Sequence, residues 1–497
     1  MKKILLLFIA VVSISLTLSA QQRFVTVTGN GDKSGYGWEN ASDDLQAMLD
    51  ILNEAGGGQI WVAAGTYYPT IPAGWAGAGD PRNRSFIMRK NVKVYGGFNG
   101  TETTLDQRDW KVNETILSGD LNNDGTANAG DAYHVAVFAG DLGDVLLDGF
   151  TVKGAYAGEP AAENTVIVNG GIEYEIYHGT GAGIYANNDQ TTLYRLNNLL
   201  ITGNRTTGHG AGMYVDQNST VELTNSVVTD NHAKLYGGGV TVSGSNWSNG
   251  TITLDRTATL NAKNSLICKN ESMRGPGVHM LTYKVNVTLT NVTLADNKAT
   301  EIGTIEAIYG HHPSGATYTL TLQNTLCDGD IKYSVGTPVQ TMNNSMVRGW
   351  DEATINAYGA NNIGYSNPLF SDPDNNDYTL KQGSPVIDKG NNAYATGIEK
   401  DLSDKTRIVN STIDMGAYEY QGIPLGIANS RDNNNQIWAD GKNLHATVDS
   451  EGLLNVYTLT GISVIQYKLS KGENVVELPA GFYIVKANDL IRKIIIR

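Results

Sequence analysis

Three short stretches hold side chains able to do chemistry. The first is DLNNDGTANAGD at 120–131, where Asp120, Asn122, Asp124, Gly125 and Asp131 fall at positions 1, 3, 5, 6 and 12. Oxygen-bearing side chains at that spacing, with glycine at the sharp turn, are what Ca2+ takes from a twelve-residue loop, with Asp131 in place of the usual Glu. The ordinary reading of the same run is a polar turn between strands, its carboxylates bonded to their own backbone. The second is the insertion at 155–182, which sets Tyr156, Tyr174, Tyr177 and His178 among Glu159, Glu163, Glu173 and Glu175. Aromatic faces beside carboxylates suit a neutral sugar, so Tyr174, Glu175, Tyr177 and His178 are candidate ligand contacts. Packing of the insertion against a sheet is the commoner use of such rings. The third is Gly208-His209-Gly210.

A histidine between glycines matches the last of three motifs of polygalacturonases, but hydrolysis of a glycosidic bond needs two carboxylates as acid and base. Upstream of His209 the chain reads ANNDQ at 186–190, without a pair of aspartates. His209 also sits in a turn that recurs as GTGAGIY, GHGAGMY, YGGGVTV and RGPGVHM, where Tyr236 and Arg274 hold similar places. It therefore reads as a turn residue. A polyuronate lyase needs a basic residue and a cation or arginine for the uronate carboxylate. Arg274, His279 and Lys284 gather within one repeat, but scattered polar side chains are usually solvated surface.

The elements that position these residues repeat. Asn198, Asn225, Asn264, Asn291, Asn324 and Asn344 recur at steps of 20 to 39 residues, and Gly149 takes the same place in an earlier copy. Two residues before each Asn stand Leu196, Leu223, Ala262, Leu289, Leu322 and Met342. Three after stand Ile201, Val228, Ile267, Leu294, Cys327 and Val347. Alternation of this kind is strand periodicity, and the apolar positions mark a buried face. Short strands, glycine turns and length variation confined to the turns describe an all-β parallel solenoid. Stacked repeats would bring the six Asn residues into a ladder, each amide bonded to the next. Positions flanking the Asn on the outward face (Arg195, Glu222, Asn261, Thr288, Thr321; Asn197, Thr224, Lys263, Thr290, Gln323) form no basic stripe. Leu200, Val227, Leu266, Thr293, Leu326 and Met346 also point outward, and so much apolar surface needs a cover: a long turn, the C-terminal segment or a partner.

The chain ends add context. MKKILLLFIAVVSISLTLSA at 1–20 has a basic start, a short apolar core and a small residue at the cut, the pattern of a secretory signal peptide. The net charge of −14 becomes more negative without it, and such a surface repels nucleic acid and anionic polysaccharide. Nothing else is apolar for long enough to span a bilayer. Cys268 and Cys327 sit at different offsets in separate repeats and read as buried free thiols. Residues 42–55 read as a helix capped by Ser42, stopped by glycines at 56–58, with Leu45, Met48, Leu49 and Leu52 on one face to close the solenoid. After about residue 350 the Asn rhythm fades, a polar linker follows at 421–436, and alternation returns over 437–497 as a small antiparallel β-domain.

The helix, glycine turns and Asn-bearing repeats resemble the pectin-lyase-like right-handed parallel β-helix superfamily over 21–420. Within it VYGGFNGTE, NETILSGD, AYHVAVF and LLDGFTVKGA resemble surface β-helix proteins of the Bacteroidota, and NPLFSDPDNNDYTL, GSPVIDKGNN and IDMGAYEY resemble the choice-of-anchor Q segment. LNVYTLTGISV, LPAGFYIVK and RKIIIR resemble a type IX secretion sorting domain without its opening Tyr-Pro-Asn-Pro. The loop at 120–131 resembles one loop of a dockerin, with no second copy. These resemblances imply export by the type IX machinery to the extracellular space or outer-membrane surface. They lead us to expect a binding or structural module facing glycans, with a polysaccharide lyase or glycoside hydrolase as the alternative. No catalytic residues stand out, and Ca2+ at Asp120, Asn122, Asp124 and Asp131 is the one cofactor the sequence suggests.

Overall fold

The structure is a computed structural model that describes residues 21–70, 79–158, 164–169, 172–188, 192–248, 253–311, 317–334, 338–422, 436–488 and 490–496. The leader at 1–20, most of the linker at 421–436, and Glu159 and Glu163 lie outside the described residues. The chain divides into two units, Met1–Tyr420 and Gln421–Arg497.

In the first unit each repeat contributes two strands that meet at the recurring Asn or one longer strand that runs through it, as Ala258–Cys268 and Lys284–Ala295 do. Leu193–Asn197 meets Leu200–Thr202 at Asn198, and Thr220–Thr224 meets Val227–Thr229 at Asn225. Equivalent residues pair in parallel, Leu196 with Leu223 and Ile201 with Val228, so identical offsets become columns. The columns two before and three after the Asn are all buried, and they form the core. A second parallel sheet carries Ile184, Met213, Val240, Val278 and Ile308 in one column facing the same core. The unit is therefore all-β, built of two large parallel sheets, neither of which closes on itself.

Why Asn recurs follows from its backbone. Asn198, Asn225, Asn264, Asn291, Asn324 and Asn344 all have φ between 47° and 53°, and Gly149 has φ 83°. A left-handed corner between two strands excludes most side chains; Asn tolerates it and Gly fits freely.

The helix runs Leu45–Glu54, and its apolar stripe packs into the core. Its N-cap is Asp44, whose carboxylate accepts from Ala47 N at 3.0 Å; the sequence pointed to Ser42, whose Oγ instead accepts from Asp44 N. The aspartate wins because it already stands in extended conformation one residue before the first helical turn. Among the described residues no helix is long and apolar enough to cross a membrane.

Segment 363–420 lies over the outward apolar stripe. Leu266, Leu326 and Met346 pack there against Phe370, Tyr378, Leu380, Val386 and Met415. Over these residues and Val227 the cover is thus supplied by the chain's own strap, while Leu200 stays half-buried outside that cluster. Cys268 lies beneath it and Cys327 in the main core; both are free and buried, and burial pushes the Cys268 thiol up to about 12.

The second unit has two antiparallel sheets. One joins Gln436–Asp440, Asn443–Val448 and Gly472–Glu477; the other joins Ser463–Leu469, Gly452–Thr458, Gly481–Ala487 and Leu490–Ile496. Leu444, Leu454, Val456, Leu469 and Val485 centre its separate core.

Candidate functional site

The strap turns the strand stack into a site. Where it crosses the ends of the last repeats it encloses a pocket of about 410 Å³, lined by Asp296, Asp328, Arg348, Tyr365, Asn367, Pro368, Leu369, Phe370, Pro373 and Lys381. The stack supplies the first three. Asp296 occupies a left-handed corner (φ 53°) just after the strand Lys284–Ala295. Asp328 ends the strand Leu326–Asp328, and Arg348 follows Met346–Val347. Pairing of Cys327 with Val347 puts Arg348 directly beside Asp328. The strap supplies the rest.

Charge and geometry are tightly set. Arg348 Nη2 lies 2.7 Å from Asp328 Oδ1, and the Tyr365 hydroxyl donates to the same oxygen at 2.8 Å. The guanidinium also sits 5.2 Å over the Tyr365 ring, which fixes its plane. Arg348 Nε is buried without a partner. Tyr378 donates to Asp296 Oδ2 at 2.7 Å. Burial pushes the Asp328 carboxyl above the usual range, Tyr365 and Arg348 pull it back, and Asp296 raises it further. The Tyr365 phenol rises to about 12 through burial and its bond to Asp328. Two carboxylates face two cations, so the pocket is close to neutral, and its walls are Pro, Leu and aromatic. Such a surface offers hydrogen bonds to hydroxyls and apolar contact to a ring, and no excess charge for an anion.

The stretches singled out in the sequence lie elsewhere. In the loop at 120–131, Asp120 accepts from Asp124 N at 3.1 Å and Gly125 N at 2.8 Å, Asp124 from Thr126 N at 2.9 Å, and Asp131 from Asn128 N at 2.7 Å. Asn122 bonds Asn128. Asp131 is fully buried with Oδ1 unpartnered, and burial raises its carboxyl. Among the described residues no three His, Cys, Asp or Glu side chains converge to hold a metal ion.

Tyr174, Glu175, Tyr177 and His178 do not form one surface. The hairpin Asn164–Asn169 and Ile172–Tyr177 alternates, so Tyr174 packs with Ile87, Val137, Tyr185 and Tyr214 on the second sheet while Glu175 and Tyr177 face out. His178 stacks on Tyr133 with centroids 3.8 Å apart and bonds Thr165 at 2.8 Å. Only Tyr177 and Glu175 stay together, through a 3.2 Å hydrogen bond.

His209 stands in a column with Thr180, Tyr236 and Arg274. Its ring stacks on Tyr236, which stacks on His279, which stacks on Tyr309, capped by the Arg274 guanidinium at 4.2 Å. Arg274 pairs with the fully buried Glu306 at 2.8 Å. His279 is thus no solvated surface residue: it is fully buried with neither ring nitrogen partnered. Burial, with His209 and His311 nearby, holds its pKa well below the usual value. An unfolded histidine takes its proton near 6.5, so below that pH the unfolded chain binds a proton the fold refuses, and stability falls as pH falls. His134, down to about 3, and His178 and His209, each down to about 4, act in the same direction. Asp216 and Asp414, raised to about 6, and Glu419, raised to about 7, act in the opposite one. Exchange of His279 for Phe isolates one contribution. Between pH 7 and 5 the variant is expected to lose about 2 kcal/mol less stability than the parent, read from denaturant midpoints. Parallel pH curves would show that His279 titrates normally.

Asp296, Asp328 and Arg348 were present in the repeats as five, four and four residues past Asn291, Asn324 and Asn344. Their convergence was not visible, because Tyr365 and Lys381 reach the pocket through the non-repeating strap. No protein-family model and no curated protein matches the chain.

Proposed function

We propose that this chain is a secreted or surface-displayed right-handed parallel β-helix, exported through its C-terminal unit by type IX machinery, that binds neutral glycan in the strap pocket. The observation that carries the reading is the near-neutral pocket in which Asp328 and Tyr365 hold Arg348 flat among apolar walls. Pre-oriented guanidinium and carboxylate groups beside apolar rings recognise adjacent sugar hydroxyls at low entropic cost. The parallel registers and the left-handed Asn corners support the β-helix. Exposed Phe482, Ile491 and Ile495 give the C-terminal unit apolar surface suited to a protein partner.

A glycan array probed with the full chain tests the binding. Uncharged glycans are expected to give signal, reduced at least tenfold by Arg348→Ala, with an unchanged circular dichroism spectrum. An array without signal, or an Arg348→Ala variant that binds as well as the parent, overturns the proposal. A glycoside hydrolase is the second reading, favoured by Asp296 and Asp328 lining one pocket with the Asp328 carboxyl raised. Against it, Arg348 and Tyr365 both bond Asp328 Oδ1 and both favour the ionised carboxylate over the acid. New reducing ends from any glycan, lost in Asp296→Asn, would decide for the enzyme.

A further inference from the structure

The corner asparagines do a second job. Between Lys389 and Lys400 the strap passes four of them in turn, and each corner amide donates to a strap carbonyl. Asn344 Nδ2 bonds Lys389 O at 3.1 Å, Asn324 bonds Asn391 O at 2.9 Å, Asn291 bonds Tyr394 O at 3.4 Å, and Asn264 bonds Lys400 O at 3.0 Å. The row is a receptor for the main chain of an extended segment. It reads no side chain, which is why one residue type suffices at four levels.

The strap leaves this row early. After Lys400 it folds back, with Asp401 N bonded to Lys405 O and Lys400 paired antiparallel with Thr406. The next two corners, Asn225 and Asn198, line a cavity of about 320 Å³ with Trp110, Ile398 and Leu402, and the Lys111–Asp404 ion pair stands at the same cavity. Asn225 Oδ1 accepts from Asn264 at 2.8 Å, but Asn225 Nδ2 has no hydrogen-bond partner among the described residues. Asn198 Nδ2 is taken by Asp148 at 2.8 Å, whereas its Oδ1 has none. A free donor and a free acceptor therefore stand at adjacent levels, at the end of a row that binds backbone. A residue in extended conformation turns its own N–H and C=O to the same side. That pair is the complement in kind of Asn198 Oδ1 and Asn225 Nδ2, and Trp110, Ile398 and Leu402 line the same cavity to cover a side chain.

We propose that the corners of Asn198 and Asn225 with Trp110 form a docking site for an extended polypeptide, held by its main chain as the strap is held at the four corners beyond. The main-chain donor and acceptor are supplied by strand-like recognition, a mode that gives affinity through backbone and specificity through one or two side-chain pockets. This inference is independent of the glycan pocket, which uses none of these residues.

A random twelve-residue peptide library displayed on phage, panned on the full chain, tests it. Asn225→Asp is the decisive variant: aspartate tolerates the left-handed corner and keeps the acceptor for Asn264, but removes the donor. Selected peptides are expected to bind the parent and to lose at least tenfold in affinity on Asn225→Asp and on Trp110→Ala, at unchanged melting temperature. Failure to enrich any peptide, or enriched peptides indifferent to both substitutions, overturns the proposal. So does a glycan-array signal that Asn225→Asp abolishes, which would assign the cavity to a sugar.

Discussion

Asn231→Ala is expected to destabilise the first unit by about 3–5 kcal/mol, while Asn225→Gly, six residues away, costs less than about 1 kcal/mol. The two asparagines frame the same strand and differ in what they satisfy. Asn231 belongs to a continuous internal row with Asn204, Asn270 and Asn297, all at most 1% exposed. Each amide in it donates to the next: Asn204 to Asn231, Asn231 to Asn270, and Asn270 to Asn297, each at 3.0 Å. Asn231 Nδ2 also reaches Ile201 O and Thr229 O at 2.9 Å, and its Oδ1 accepts from Asn204 N. Truncation leaves several of these groups buried without partners, at about 1–3 kcal/mol for each. Asn225 is half-buried, makes one side-chain bond to a neighbouring corner, and sits at φ 50°, where glycine is at ease. Chemical denaturation of both variants checks the order; equal losses would mean that the internal row carries no special load.

The contrast shows where the sequence was legible. In four repeats a second asparagine stands six residues after the first, at Asn204, Asn231, Asn270 and Asn297, and the apolar columns around the first of each pair are buried throughout. The ladder assigned to the first asparagine forms only in part: Asn264 reaches Asn225 and Asn324 reaches Asn291, while Asn198 turns to Asp148. The unbroken ladder belongs to the second asparagine. Pattern alone did not separate them, because a left-handed backbone and a buried amide both select Asn, for unrelated reasons. Legibility ended where repetition ended. The strap has no period, so nothing in the text placed Tyr365 or Lys381 beside Asp328, or Lys389 to Lys400 along the corner row. Both pockets form between a periodic surface and an aperiodic one, and only the periodic half was written in a code that position alone can read.

Removal of the Arg407 charge is expected to loosen the strap while the strands below it stay folded. Arg407 is fully buried; its Nη1 lies 3.4 Å from Glu419 Oε2, and Nη2 donates to Gly416 O at 2.5 Å. Glu419 accepts from Val409 N and Asp414 N, and Asp414 from Tyr420 N and Asp388 N. This network holds Gly416 and Ala417 where their N–H groups reach Asn324 O and Thr293 Oγ1, which fastens the strap over Leu326. Arg407→Met leaves the carboxylates without their cation, a loss of about 3–5 kcal/mol for a broken buried pair. Local opening costs less than global unfolding, so the strap yields first. Protease cuts within 389–420 and dye binding to the uncovered apolar stripe are the expected readouts. The penalty also depends on pH. Burial already lifts Glu419 to about 7 and Asp414 to about 6, and loss of Arg407 lifts both further. The folded variant then holds protons that the unfolded chain, with ordinary carboxyls near 4, has released. Stability therefore falls as pH rises, and the gap between variant and parent widens from pH 5 to 8. A gap of constant size, or a strap equally protected from protease in both proteins, would show that Arg407 is held by its neighbours without holding them.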